Sequence, residues 1–227
     1  MVYVVGDTHA DYDWSKLNTY NFPEQKSMNY NDFVIVLGDW GGIWDGAKQD
    51  EYIQKWYNEK KFTTLWISGN HENFDLLAQY PIEEWNGGKV QFIGDHIIHL
   101  MRGQVYTIEG KTFFVMGGAQ SVDKYNRKEG KSWWAQEMPS NEEYEEALDN
   151  LDRVGNKVDF ILTHTAPDKV VELLSRYVWN NSDKLTQFLQ IVSETVDFKE
   201  WYFGHFHTDV DMGRYHCRYT SKPERIV

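Results

Sequence analysis

Five short apolar runs in this chain each end in the same kind of polar group, and that recurrence constrains the fold more than any other feature. The first run closes on Gly6-Asp7-Thr8-His9, the second on Gly38-Asp39-Trp40 and the third on Gly69-Asn70-His71-Glu72. A later run closes on Thr163-His164-Thr165, and the last on Gly204-His205-Phe206-His207. Runs rich in Val, Ile, Phe and Tyr read as strands, here at 2–5, 33–37, 63–67, 90–93, 104–108, 112–116, 158–162 and 200–203. Ligands of α/β sheets gather beyond the carboxyl ends of strands, so groups spread over most of the chain can converge there.

Helical patterns at 48–60, 141–153 and 168–177, with 183–197 a further candidate, fall between some of the runs. The N-terminal half therefore reads strand, loop, helix, strand, which implies parallel pairing through crossovers. Residues 90–118 read as strand, turn, strand, with Arg102-Gly103 and Glu109-Gly110 as turn signals, which implies antiparallel pairing. The expectation is an α/β fold with two mixed sheets in one domain over 1–227. A polar, aromatic loop at 117–140 is too long for a simple connection, and loops of that length are usually functional or disordered.

The converging groups offer two Asp, one Asn and four His, with His71 left over. Imidazole and carboxylate without thiolate suit Zn, Mn, Fe or Ni, whereas all-oxygen sites suit Mg or Ca. One ion does not need seven ligands. Two ions sharing a carboxylate do, in the geometry of two-metal hydrolysis with ions about 3.5–4 Å apart and an activated water between them. Residues i and i+2 of extended chain project to one side, so Asp7 pairs with His9 and His205 with His207.

Composition narrows the function. A net charge of −12 argues against a broad nucleic-acid groove or an anionic-lipid surface. The single cysteine, Cys217, excludes an internal disulfide framework and a thiolate cluster, and reads as a small core residue of a C-terminal strand. No apolar stretch is long enough to span a membrane and no signal segment stands at the N-terminus, so a cytoplasmic protein is expected. Oligomeric state is not legible.

GDTH, GDW, GNHE, THT and GHFH, in this order and spanning 6 to 207, resemble the calcineurin-like metallophosphoesterases. The resemblance implies a sandwich of two mixed β-sheets flanked by helices. It implies one metal held by Asp7, His9, Asp39 and His207, and another held by Asp39, Asn70, His164 and His205, with Asp39 bridging. His71 would sit beside the leaving oxygen as a general acid, or stabilise the phosphoryl oxygens. The 117–140 loop is similar to one in some bacterial and phage-type members. His96, His99 and His216 match no motif and read as strand or surface residues; Glu72 and Thr165 read as supporting or capping residues.

The chain departs from the protein Ser/Thr phosphatases of that family, which carry arginines near GD and before GNHE; here the segments are GDWGGIWDG and Ile67-Ser68. Those guanidiniums would clamp a monoester dianion. Their absence shifts the expectation toward a phosphodiesterase or broad phosphoesterase, with a protein phosphatase or small-molecule phosphomonoesterase as the alternative. A catalytically inactive scaffold would require missing ligands, and none is missing. Two further expectations concern catalysis. Asp45 in the Gly41–Gly46 turn would orient His71, unless that segment is a plain turn. Arg127, with Lys131 on the same loop, would reach the substrate phosphate, while Trp133 and Trp134 would wall a pocket or simply pack the loop.

Overall fold

The computed structural model describes residues 1–174 and 182–227. The chain forms strands β1 (Val2–Val5), β2 (Phe33–Val36), β3 (Thr63–Ile67), β4 (Glu83–Trp85), β5 (Gly88–Gly94), β6 (Ile97–Leu100) and β7 (Gln104–Ile108). It continues with β8 (Lys111–Met116), β9 (Phe160–Thr163), β10 (Glu200–Phe203), β11 (Val210–Met212), β12 (Tyr215–Cys217) and β13 (Glu224–Arg225). The α-helices are α1 (Lys48–Asn58), α2 (Phe74–Leu77), α3 (Asn141–Arg153), α4 (Asp168–Leu174) and α5 (Lys184–Thr195). The expected helix at 168–177 is present as α4; residues 175–177 lie outside the described residues.

One sheet runs β13-β1-β2-β3-β6-β5-β4 and the other β11-β12-β10-β9-β8-β7. Both are mixed. β1, β2, β3 and β6 are mutually parallel, as are β8, β9, β10 and β12, and the remaining pairs are antiparallel.

Alternation explains the layers. Val2 and Val4 of β1 enter a core between the sheets with Leu65, Phe113 and Leu162. Tyr3 and Val5, one residue out of phase, join an outer core with Ile53 and Tyr57 of α1. On the far side Phe114, Ile161 and Trp201 pack against Leu151 of α3 and Leu189 of α5. Central strands covered on both faces have no polar side to show, so they read as unbroken apolar runs. The result is an α/β fold of two mixed sheets packed as a sandwich and flanked by helices.

The Glu109-Gly110 turn closes the β7–β8 hairpin with φ of 51° and 71°, left-handed at both positions, as tight hairpins require. Arg102-Gly103 works differently from the expected hairpin turn: it carries the chain from β6 in one sheet to β7 in the other. α3 starts in a capping box, with Ser140 Oγ accepting from Glu143 N at 3.2 Å and Ser140 N donating to Glu143 Oε2 at 2.7 Å. Among the described residues no helix is long and apolar enough to cross a membrane.

Candidate metal centre and its surroundings

Parallel pairing sets the ends of β1, β2 and β3 side by side, and with them Asp7, Asp39 and Asn70. The ends of β9 and β10 in the second sheet bring His164 and His205 to the same edge. The two edges are stitched together. His164 Nδ1 donates to Leu37 O at 2.7 Å, and His205 N donates to both oxygens of Asp7 at 3.2 Å. Close approach demands glycine here: a Cβ on Gly69 would overlap Asp39 Oδ1, and one on Gly204 would overlap Asp7 Oδ1.

Asp39 lies between the two halves. Its Oδ2 is 3.4 Å from His9 Nε2 and 3.4 Å from His164 Nε2. His207 Nε2 is 3.4 Å from Asp7 Oδ2, and Asn70 Oδ1 is 3.2 Å from His164 Nε2. Two sets of donor atoms fall within 4.8 Å of one another: Asp7, His9 and His207, and Asp7, Asp39 and His164. Asp7 belongs to both, a closer involvement than the sequence implied. The His205 ring stands beside that of His164, centroids 5.0 Å apart. The structure thus gathers all seven expected donors at one edge.

Electrostatics fits divalent cations. Asp7 and Asp39 are fully buried, which alone would push their carboxyls up; His164 and the other facing histidines together outweigh burial, and Asp39 ends well below the usual carboxylate range. Burial likewise opposes charge on His9 and His164, yet the carboxylates, Asp39 foremost, hold both near a pKa of about 9. Two carboxylates out of water require cations, here supplied by ring protons that metal ions would displace. Burial, and then His164, pushes His205 down to about 3, leaving it neutral, the form in which an imidazole is able to ligate a metal.

Several supporting groups were not foreseen. His9 Nδ1 donates to Asp13 Oδ2 at 2.8 Å, which turns Nε2 toward the centre. The one signal for it was the spacing, Asp13 lying four residues after His9. Tyr219 stacks on His207 at 4.2 Å and 5°. Asn70 Nδ2 donates to Ser121 Oγ at 3.2 Å, and Ser121 in turn donates from N and Oγ to Glu137, at 2.8 and 2.6 Å. The 117–140 loop therefore buttresses a candidate ligand.

Asp45 is a correction. The structure does not bring it to His71: its Oδ1 accepts from Ala47 N at 2.8 Å. Asp50 explains why, because its carboxylate gathers the amides of Trp44, Asp45 and Gly46 and folds the segment into a turn ahead of α1. Arg127 is brought to His71, with Nη1 3.0 Å from Nδ1. Trp134 packs: its ring is buried, meets Trp44 at 5.4 Å, and Nε1 donates to Asp75 Oδ2 at 2.8 Å. His99 is a buried residue of β6, its Nδ1 donating to Gln91 and its Nε2 accepting from Ser68. His96 stacks on Tyr30, and His216 lies in β12.

A cleft of about 680 Å³ opens on the centre, with His9, His71 and His207 on its floor and Tyr12, Trp44 and Tyr219 along its walls.

The calcineurin-like phosphoesterase profile matches residues 1–209. Among solved structures, a phosphopantetheinyl hydrolase from Mycobacterium tuberculosis aligns at 14% identity with a TM-score of 0.42, over 96% of this chain and 89% of that one. A putative 5'-nucleotidase from Staphylococcus aureus, solved with alpha-ketoglutarate, aligns at 17% identity with a TM-score of 0.49, over 95% of this chain and 47% of that one. No curated protein matches the chain. With the family profile covering nearly its whole length, the chain belongs to the calcineurin-like phosphoesterases and is a phosphoester hydrolase.

Proposed function

We propose that the chain hydrolyses phosphodiesters, or a broad set of phosphoesters, at a centre of two divalent ions drawn from Mn, Fe, Zn and Ni. One ion is held by Asp7, His9, Asp39 and His207, and the other by Asp39, Asn70, His164 and His205. Residues 1–227 act as one domain, with 117–140 as its inserted loop. The observation that carries the reading is Asp39 Oδ2, at 3.4 Å from a histidine on each side. Bound ions would supply Lewis acidity and activate water.

The chain's own residues do the rest. His9 and His164 are aimed by hydrogen bonds from their Nδ1 atoms, to Asp13 and to the Leu37 carbonyl. Asp39 Oδ1 accepts from His71 N at 2.8 Å, which fixes the segment carrying both Asn70 and His71. His71 stands at the cleft floor beside His9, ring centroids 5.9 Å apart, as the donor to an ester oxygen. No lysine or arginine lines the cleft among the described residues, which suits the single charge of a diester better than a dianion.

The test is hydrolysis of bis-p-nitrophenyl phosphate against p-nitrophenyl phosphate, with Mn, Ni, Zn and Mg in turn and metal content measured in parallel. Two ions per chain with diester preference are expected. Monoester preference would favour the phosphatase alternative, and a chain saturated with one ion would overturn the dinuclear reading.

A further inference from the structure

His71 has its orienting partner on the long loop and not in the turn after Asp39. Arg127 Nη1 lies 3.0 Å from His71 Nδ1. The guanidinium is held in place by its own loop: Nε pairs with Asp123 Oδ1 at 2.8 Å, and Nη1 also donates to Ser132 O at 3.2 Å. The side chain is mostly shielded, at 22% exposure, so the contact is not that of a freely waving surface arginine. Arginine has only donors. In this contact Nδ1 must therefore accept, and the ring proton sits on Nε2.

We propose that Arg127 is a positioning residue acting through His71, fixing the tautomer that presents Nε2–H to the ester in the cleft. This rests on the phosphoesterase reading above. It differs from the sequence expectation that Arg127 touches the substrate phosphate itself. A carboxylate in the Arg127 position would accept from Nδ1–H and leave Nε2 without a proton in the neutral ring. A guanidinium reverses that, and His71 becomes a preset hydrogen-bond donor toward charge developing on a phosphate-ester oxygen. The inserted loop thus tunes His71, while Asp39, holding its backbone amide, fixes where it stands.

The experiment is a double-mutant cycle with Arg127→Met, which keeps length and removes the donors, and His71→Asn. Arg127→Met alone should lower kcat/KM by about 10–100-fold, the usual loss for a partner that orients an imidazole. In the His71→Asn background the same change should cost less than about twofold, since the interaction it removes is already gone. Arg127→Lys, which keeps a donor, should recover part of the loss. Long-range 1H–15N spectra of the Zn-loaded chain, repeated on metal-free chain, read the ring directly. Wild type should show His71 protonated on Nε2 alone, and Arg127→Met a mixture of tautomers. An equal cost of Arg127→Met with and without His71 would place Arg127 on the substrate and overturn the proposal, as would a wild-type ring protonated on Nδ1. If no metal supports phosphoester hydrolysis, the function reading fails on its own, and the spectra still decide the tautomer.

Discussion

The two sides of the cleft are built differently. On one side, the candidate ligands stand at the ends of strands that are buried on both faces. His9, Asp39, His205 and His207 hold left-handed backbones, with φ of 42°, 48°, 67° and 49°. Such conformations cost about 1–3 kcal/mol each and persist where the surroundings leave no alternative. On the other side, the 117–140 loop contributes short 3-10 turns at Lys124–Asn126 and Ala135–Glu137 and a single isolated bridge, Glu129 to Trp133. Beyond a backbone bond from Gly118 N to Ser68 O, it meets the site's groups through side chains: Ser121 and Glu137 toward Asn70, and Arg127 toward His71. In the proposed function the strand ends define where ions and substrate would go, and the loop adjusts the groups already there. The two should respond to mutation with different size and kind.

The largest effect is expected from Asp39→Asn. Asp39 carries the contacts to His9 and His164 together, and the amide removes the charge that would hold two cations near each other. At least one ion should be lost, and kcat/KM should fall by about 10³-fold or more, since metal charge stabilisation is worth several kcal/mol. Metal analysis alongside kinetics checks this; a mutant retaining two ions would show that Asp7, shared by both donor sets, carries the bridge instead.

His71→Asn comes next and separates metal binding from its use. His71 supplies no candidate ligand atom, so both ions should stay while kcat falls by about 10²–10⁴-fold, the usual range for a lost proton donor or acceptor. The loss should shrink for p-nitrophenolate, a leaving group that hardly needs a proton. Equal losses for good and poor leaving groups would assign His71 to the phosphoryl oxygens.

The same contrast explains what the sequence made legible. Each strand-end donor follows an apolar run within a few residues, so local order displays it, and parallel pairing then assembles the set. The two mixed sheets were readable from the runs, whereas their packing as a sandwich flanked by helices came from the family resemblance. β6 was not legible: Ile97-Ile98-His99-Leu100 contains a polar residue, which Gln91 across the β5–β6 hairpin and the distant Ser68 satisfy. β11 to β13 are two or three residues long and largely half-exposed, so neither length nor apolarity marks them. Asp45 failed because a competing carboxylate, Asp50, claims the turn's amides. Ser121 is 51 residues from Asn70 and Arg127 is 56 from His71; no local pattern encodes either contact.

Ser121→Ala tests the loop as a buttress. Without the hydroxyl, Asn70 loses the partner that keeps its Nδ2 turned away and its Oδ1 toward His164. Affinity for the ion on the Asn70 side should drop by about 10–100-fold, the usual effect of removing a group that orients a ligand. Titration calorimetry with Zn should show one weakened site and one unchanged. Equal weakening of both would mean that the loop supports the whole edge, and the division between the two sides would lose its force.

Trp134→Phe should have the smallest effect. The indole is buried against Trp44, and phenylalanine retains most of that apolar contact, so the change mainly deletes the bond from Nε1 to Asp75. A neutral-to-charged hydrogen bond typically contributes about 1.5–3 kcal/mol, but Asp75 is an exposed residue, and water can take the place of the lost donor. The stability cost should therefore fall near or below the low end, about 1 kcal/mol. Trp134→Ala would instead empty a buried aromatic site and cost about 3–5 kcal/mol. Thermal unfolding of both variants separates the two terms. Neither kcat nor metal content should change in Trp134→Phe, because Ser121, Glu137 and Arg127 make their contacts with groups other than the indole. A fall in kcat as large as that of Arg127→Met would show that the loop acts as one rigid unit, its packing and its chemistry inseparable.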